Sequence, residues 1–406
     1  MKTFFLFLSF LLLFLNACEN GDSDDEDMVN GSPDDDNDDD SNTGDDDTEI
    51  PEMDLSQLNI SIFAEYSASD DDTSMNDKNG KDYKLSILLY NGISWSSLIS
   101  ADRIQISGFW GLSPDSVWAG GFFWGGENNK PLVIHNDHGN WEMEKIPGYP
   151  DCEIRGIGGS GDDNIYLVGL NDNITYLILH YDGIEWSLER SSSFGASFDA
   201  VWVSETGDVF AVGTAGSYNN MNYQPLITHF DGQQWTDTIL PVPGMDCWLT
   251  DVWGASADSV YAVGFCYFGE FIHRMPLFIH FDGSTWANIP TGIDPFAQMT
   301  FDDMDGYSDK EIYIAGKTWN YSSRDRGILY LYDGNSLIDL KMPIYNNGGY
   351  PYIVGLWVAD TGMVFVSGPT PYPGGPLRPR ILLYENQQWS AISAFYNIYT
   401  IYGFLK

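Results

Sequence analysis

The 406 residues predict an all-β fold: a single β-propeller of seven four-stranded blades, with the closing blade built from both ends of the folded region. Three observations predict it. A strand ending in a tight turn and a tryptophan recurs seven times. A two-strand segment of different pattern precedes six of those copies. Each end of the folded region holds the part of a unit that the other end lacks.

The first segment reads Ile-Leu-Leu-Tyr-Asn-Gly-Ile-Ser-Trp up to Trp95 and Leu-Val-Ile-His-Asn-Asp-His-Gly-Asn-Trp up to Trp141. It reads Leu-Ile-Leu-His-Tyr-Asp-Gly-Ile-Glu-Trp up to Trp186. Close copies end at Trp235 and Trp286 and weaker ones at Leu337 and Trp389, 45 to 52 residues apart. A repeat of that period, four strands per unit, is the pattern of a propeller blade. Its Asp-Gly turn suits a hairpin because Gly reaches positive φ without steric cost and Asp tolerates it. The second segment is plainest at residues 251–264, Asp-Val-Trp-Gly-Ala-Ser-Ala-Asp-Ser-Val-Tyr-Ala-Val-Gly, with relatives beginning near Phe109, Ile154, Ala200, Met304 and Leu356. Runs such as Val260-Tyr261-Ala262-Val263 are continuously apolar, as strands covered on both faces require.

The last strand, Tyr396 to Phe404, has the pattern of a first strand with nothing after it. Leu58 to Tyr66 and Leu85 to Trp95 read as strands two to four without a first. One blade made from both ends closes the ring and removes exposed sheet edges. The alternative is six blades plus a separate N-terminal hairpin.

The Asp-Gly-x-x-Trp turn resembles the Asp-box of BNR/sialidase-like propellers, although that box separates Asp from Gly by one residue and usually begins with Ser. The paired motifs Trp-Gly-x-Ser-x-x-Asp-x-Val-x-Ala-Val-Gly and His-Tyr-Asp-Gly-x-x-Trp are more similar to propeller repeats of secreted bacterial proteins with no known activity. The resemblance spans nearly all of residues 55–406 and implies fold, not chemistry. A sialidase would further imply an arginine triad and an Arg-Ile-Pro motif, and the sequence lacks that motif. Nor does it hold a Gly-x-Ser-x-Gly elbow, a phosphate loop or a His-Glu-x-x-His pattern, so no enzyme activity is expected. A sialidase-like or other propeller hydrolase is kept as the least favoured alternative.

Upstream of the propeller, Met1-Lys2 and the apolar run Phe4 to Leu15 have the form of a signal peptide, too short to span a membrane, which takes about 20 apolar residues. The run ends in Leu15-Asn16-Ala17-Cys18, which resembles the lipobox of bacterial lipoproteins. That likeness implies cleavage after residue 17, acylation of Cys18 and a lipid-anchored place in the bacterial cell envelope, with the outer membrane favoured. An ordinary secretory signal is the alternative. Residues 18–54 follow as an acidic tether, rich in Asp runs and without Lys or Arg. Like charges that bury nothing stay extended. The tether has no EF-hand spacing, so weak calcium association is the most it implies, and no cofactor is expected.

Setting aside the tether's 18 acids and Lys2 leaves 41 acidic and 17 basic residues in the folded part, 55–406. So acidic a domain is a poor ligand for nucleic acid, whose binding rests on neutralising phosphates. The expected partner is an envelope protein, or alternatively a glycan. Four histidines, His135, His180, His229 and His280, each stand six residues before a blade tryptophan or its equivalent. The symmetry separates them around the ring, so a structural role and no metal site is expected. His138 and His273 have no evident partner. Cys247 and Cys266 flank a predicted hairpin in a register that sets Val252 opposite Tyr261, which predicts a disulfide in an oxidising compartment. Cys152 is expected to be a buried thiol.

In such blades the second-to-third-strand loops and the blade-to-blade connections emerge on one side, here called the loop face. The predicted loops 122–130, 214–224, 267–275, 317–326 and 369–380 gather aromatics and scarce cations. The candidate ligand face is therefore Trp124, Lys130, Tyr218, Tyr223, Tyr267, Phe271, Arg274, Trp319, Tyr321, Arg324, Arg326, Tyr372, Arg378 and Arg380. Open, parallel rings there favour a glycan; a continuous apolar patch favours a protein.

Overall fold

The computed structural model describes residues 60–68, 84–124, 129–146, 148–149, 151–171, 175–192, 195–216, 222–242, 245–268, 273–319, 326–343, 353–359, 361–372, 375–393 and 397–405. Contacts divide the chain into Met1–Glu49 with Ser69–Lys81, and Ile50–Ala68 with Asp82–Lys406. All described residues belong to the second unit. Cys18 and the tether lie outside the described residues.

These residues form seven four-stranded antiparallel sheets, each with its strands in chain order apart from the closing one. Blade 1 joins the last strand, Asn397–Leu405, to Ile60–Ala68, Lys84–Tyr90 and Trp95–Asp102. Blades 2, 3, 4 and 7 begin with Ile104–Ser113, Cys152–Gly161, Ala196–Val203 and Gly355–Val358. Blade 5 comprises Asp246–Ser256, Ser259–Phe268, His273–Phe281 and Trp286–Asn288. Blade 6 comprises Met299–Ser308, Glu311–Thr318, Arg326–Tyr332 and Leu337–Asp339. The first strands touch one another in an unbroken circuit, blade 7 meeting the last strand and that strand meeting blade 2. The protein is a seven-bladed propeller closed by both ends of its folded region, and the six-blade arrangement is excluded.

Ring closure rests on a side-chain code between consecutive first strands. Trp110, Trp202, Trp253 and Trp357 lie over Gly159, Gly254, Gly306 and Gly403 of the following blade, where a Cβ would come within 2.5 to 3.1 Å of the indole. The Tyr402 hydroxyl donates to the Gly111 carbonyl at 2.8 Å in the same relation. Where the aromatic is replaced, by Gly158 and Asp305, the next blade carries Val203 and Val358 at the glycine position. Asp305 instead accepts the Val358 amide at 2.7 Å. Five of the seven junctions thus set an aromatic ring against a glycine, which lets consecutive first strands approach closely.

A second recurrence binds strands two and three to the neighbouring blade. His135, His180, His229 and His280 stack on their register partners Trp118, Tyr166, Phe210 and Tyr261 at 3.9 to 4.3 Å. Trp118, Tyr166 and Phe210 in turn receive the edges of Trp186, Trp235 and Trp286 from the following blade. Three of the histidines hydrogen-bond at Nε2, to Asn164 (2.8 Å), Asp208 (3.1 Å) and Ser259 (3.0 Å). Burial pushes the His135, His180 and His280 imidazoles below their ordinary pKa, so they are held neutral.

The tight turns obey one rule as well. Asp182, Asp231, Asp282 and Asp333 each accept two backbone N–H groups from the residues two and three further on, at 2.8 to 3.0 Å. These bonds favour the carboxylate and pull the Asp282 pKa down to about 2. The glycine after each aspartate has φ between 83° and 88°.

Two sequence expectations need correction. A bulge between Leu249 and Asp251 shifts the inner register of blade 5, so Val252 pairs with Ala262 and Tyr261 with Trp253. The outer register still sets Cys247 opposite Cys266, and the two form a disulfide. The same bulge recurs in the first strands of blades 2, 3, 4 and 6. A hairpin counted from its turn misses the extra residue. Second, the ends of the predicted loops in blades 5, 6 and 7 are strand. Blade 5 stays paired out to Phe268–His273, blade 6 to Thr318–Arg326, and blade 7 to Tyr372–Gly375. In blade 5 the cross-strand pairs Tyr267–Arg274 and Phe268–His273 hold the hairpin shut where a loop was expected.

Candidate functional site on the loop face

Pairing Cys247 with Cys266 into the apolar core turns their neighbours Trp248 and Phe265 the other way, because strand side chains alternate. Those two rings stack across the strands at 5.6 Å and 23°. Tyr223, at the end of the blade 4 loop, packs on Trp248 at 5.0 Å, and Tyr267 meets both rings edge-on. Asp246 accepts the Tyr223 amide at 2.7 Å and fixes that loop end.

The patch continues towards blade 6 through a cation. Arg274 lies 5.1 Å from the Tyr267 ring and 3.5 Å from the Trp319 ring, and its Nε donates to the Tyr267 hydroxyl at 3.0 Å. Lys317 stands 5.4 Å from the same indole and is paired with Asp302 at 2.9 Å. Guanidinium–indole stacking contributes roughly 0.5–2 kcal/mol, more as water is excluded. Beside it, Phe268, His273 and Phe296 form a three-ring cluster at 5.0 to 5.7 Å. Phe296 is 63% exposed, a large apolar side chain presented to solvent.

Gln298, in the connection between blades 5 and 6, ties these parts together. Its Oε1 accepts the Arg274 amide (3.1 Å), its Nε2 meets His273 Nδ1 (2.8 Å), and its carbonyl accepts the Trp319 amide (2.6 Å). It does so at φ +53°, a left-handed conformation uncommon for a residue with a Cβ.

Four predicted residues thus converge: Tyr223, Tyr267, Arg274 and Trp319. Tyr267 is only 5% exposed, so it frames the site and does not present itself to a ligand. Arg326 opens the third strand of blade 6, opposite Thr318. Trp124 and Lys130 belong to blade 2, Trp124 part-buried with its amide on the Arg103 carbonyl at 2.8 Å and Lys130 exposed. Tyr218, Phe271, Tyr321 and Arg324 lie outside the described residues. Tyr372, Arg378 and Arg380 lie on blade 7 strands whose backbone alone is described. Sequence reasoning missed Trp248, Phe265, His273, Phe296 and Gln298. Trp248 and Phe265 were within reach, since each adjoins a cysteine of the predicted disulfide. His273 does have partners, the Gln298 amide and two rings, and His138 meets Asp137 at 2.6 Å.

A carboxyl pair lies elsewhere in the first-strand ring. Asp251 and Asp303 hydrogen-bond to each other, and burial raises both pKa values, that of Asp251 well above the ordinary range. Their outer oxygens accept the amides of Met304 (2.7 Å) and Leu356 (2.8 Å) from the next blades. Their bonding capacity is spent on holding blades 5, 6 and 7 together.

No family model matches the chain, and neither does any curated protein. Solved structures do. A protein from Lactobacillus plantarum matches at TM-score 0.53 and 9% identity, over 85% of this chain and 99% of its own. A candidate 6-phosphogluconolactonase from Bacteroides fragilis matches at TM-score 0.50 and 9% identity, over 86% and 98%. At such identity the likeness is one of fold.

Proposed function

We propose that this chain is a lipid-anchored binding propeller of the bacterial envelope whose loop face, across blades 4 to 6, docks a protein partner. The observation that carries the proposal is the continuous aromatic surface from Tyr223 through Trp248 and Phe265 to Trp319, with exposed Phe296 nearby. Large rigid rings with an arginine are what protein interfaces use for their strongest contacts. The packing favours a protein over a glycan. Arg274 covers a face of Trp319, and Trp248 is packed against both Phe265 and Tyr223, whereas a sugar platform needs an open ring. A binder also accounts for the spent chemistry elsewhere: the stacked histidines serve the blades, and the buried carboxyl pair serves the ring.

The test is site-specific photocrosslinking of the full chain in its native envelope, with p-benzoylphenylalanine replacing Phe296, or replacing Ile184 on the opposite side. Protein adducts of defined mass from position 296 alone, abolished by Phe265→Ala with Trp319→Ala, are the expected result. Adducts that a glycan-degrading enzyme removes would transfer the site to a glycan. Equal labelling from both positions, or none, would overturn the docking face.

A further inference from the structure

We infer that Arg274 is an anion-binding subsite that takes an Asp or Glu side chain of a docked peptide segment. The inference rests on the docking face proposed above and names the chemistry its partner must bring.

The folded part has more than twice as many acids as bases, 41 against 17, so counter-ions for a part-buried cation are plentiful. Three other part-buried cations have one. Arg155 meets Glu153 and Asp199, Arg190 meets Asp237, and Lys317 meets Asp302. Arg274 does not. It is part-buried, yet no carboxylate of the described residues lies within the 4.0 Å of an ion pair. A flat side lies on Trp319 and Nε is spent on Tyr267, so the donors left over are the Nη groups. Their fork matches the two oxygens of a carboxylate, and partial removal from water strengthens that pairing.

The frame around the cation is rigid. Gln298 holds the Arg274 and Trp319 backbones at once and adopts a left-handed backbone to do so. The same left-handed backbone and carbonyl bond recur at Arg103 in blade 2, so they belong to the frame of the blades, and what is particular to this site is the Gln298 side-chain amide on Arg274 and His273. The aromatic floor supplies apolar area beside the charge, so an acidic residue flanked by apolar or aromatic ones fits both. The domain's net negative charge opposes long-range attraction of an acidic partner. Selectivity for the carboxylate therefore arises at contact, through the forked pair.

A displayed library of random linear peptides, panned on the full chain after depletion on the bare support alone, tests the inference. The expected peptides share an Asp or Glu at one position beside apolar residues. They weaken at least tenfold when that acid becomes its amide, about the effect of one charge-assisted pair. They weaken similarly on Arg274→Gln, and the two losses do not add. Arg274→Lys keeps the charge without the fork and falls between, which guards against a folding defect. Peptides that share no acid and bind Arg274→Gln equally well overturn the carboxylate subsite and leave the docking face standing. No enrichment, or peptides indifferent to Phe265→Ala and Trp319→Ala, overturns both.

Discussion

The side of the propeller that carries the tight turns and the loop face are made from the same seven blades, yet they obey different rules. On the turn side neighbouring blades repeat one another: an aspartate caps the hairpin with two amides in blades 3 to 6, and a histidine lies on an aromatic ring in blades 2 to 5. On the loop face part of the backbone still repeats, since Arg103, Gly195 and Gln298 all sit at positive φ and accept the amides of Trp124, Gly216 and Trp319, but the side chains around them differ from blade to blade. The aromatic cluster belongs to blades 4, 5 and 6 and is held by one strained residue, Gln298. Repetition marks the contacts that every blade needs in order to stand beside the next. Departure from it marks what one region does that the others do not.

That contrast can be broken experimentally, since changes on the repeating side should cost stability and changes on the loop face should cost binding. The largest effect is expected where both meet. Cys247→Ser with Cys266→Ser opens a loop of separation 19 and should lower unfolding stability by about 3 kcal/mol, measured by chemical denaturation under oxidising conditions. It should also loosen the Trp248–Phe265 stack one residue away. An unchanged denaturation midpoint would show that the blade 5 register alone holds these strands. Next is the ring code. Gly254→Val places a side chain against Trp202, where even a Cβ would come 2.5 Å from the indole, and should cost about 2–3 kcal/mol. Restoring space with Trp202→Gly in the same chain should recover part of that loss, and no recovery would refute the pairing of large with small.

A smaller effect follows from protonation. Because burial lowers the pKa of His135, His180 and His280, the neutral ring favours the fold. Their contribution is complete above the ordinary histidine pKa of about 6.5 and is lost as pH falls below it. The raised pKa of Asp251 and Asp303 has the opposite sign: it opposes folding at neutral pH and ceases to do so in acid. Asp251→Asn removes this opposing charge but leaves one acceptor oxygen for the two amides that Asp251 holds, so stability near pH 7 should change little while the loss between pH 6.5 and 5 steepens. A flat response in that window would remove the histidines from the stability account. The smallest stability effect belongs to the loop face. Arg274→Gln should change unfolding stability by less than about 1 kcal/mol while abolishing carboxylate selectivity. A large stability loss would instead place Arg274 among the structural contacts.

Much of the fold was legible because blades are local. A four-stranded unit is written in about 50 consecutive residues, and its Asp-Gly turn, apolar second strand and closing tryptophan appear in order. The closing blade was legible for the same reason, each end holding what the other lacked. Less legible was register inside a blade, since one bulge residue, Thr250 in blade 5, shifts every partner beyond it and leaves no mark in the pattern. Loops were overdrawn because Tyr267, Phe268, His273 and Arg274 read as a loop's mixture of aromatic and polar residues until their cross-strand contacts are seen.

Amino-acid order by itself determined that this chain makes seven like units, which residues build their turns and cores, and where its few cations fall. Only the tertiary structure decided that part-buried Arg274 has no carboxylate within ion-pair distance among the described residues, and that Tyr223, Trp248, Phe265, Tyr267 and Trp319 from three blades are joined through ring contacts and Arg274. The physical reason is range. Turns and strands depend on neighbours a few residues away, whereas Arg274 meets Trp319 across 45 residues of chain, and only the radial packing of blades 5 and 6 brings them within 3.5 Å.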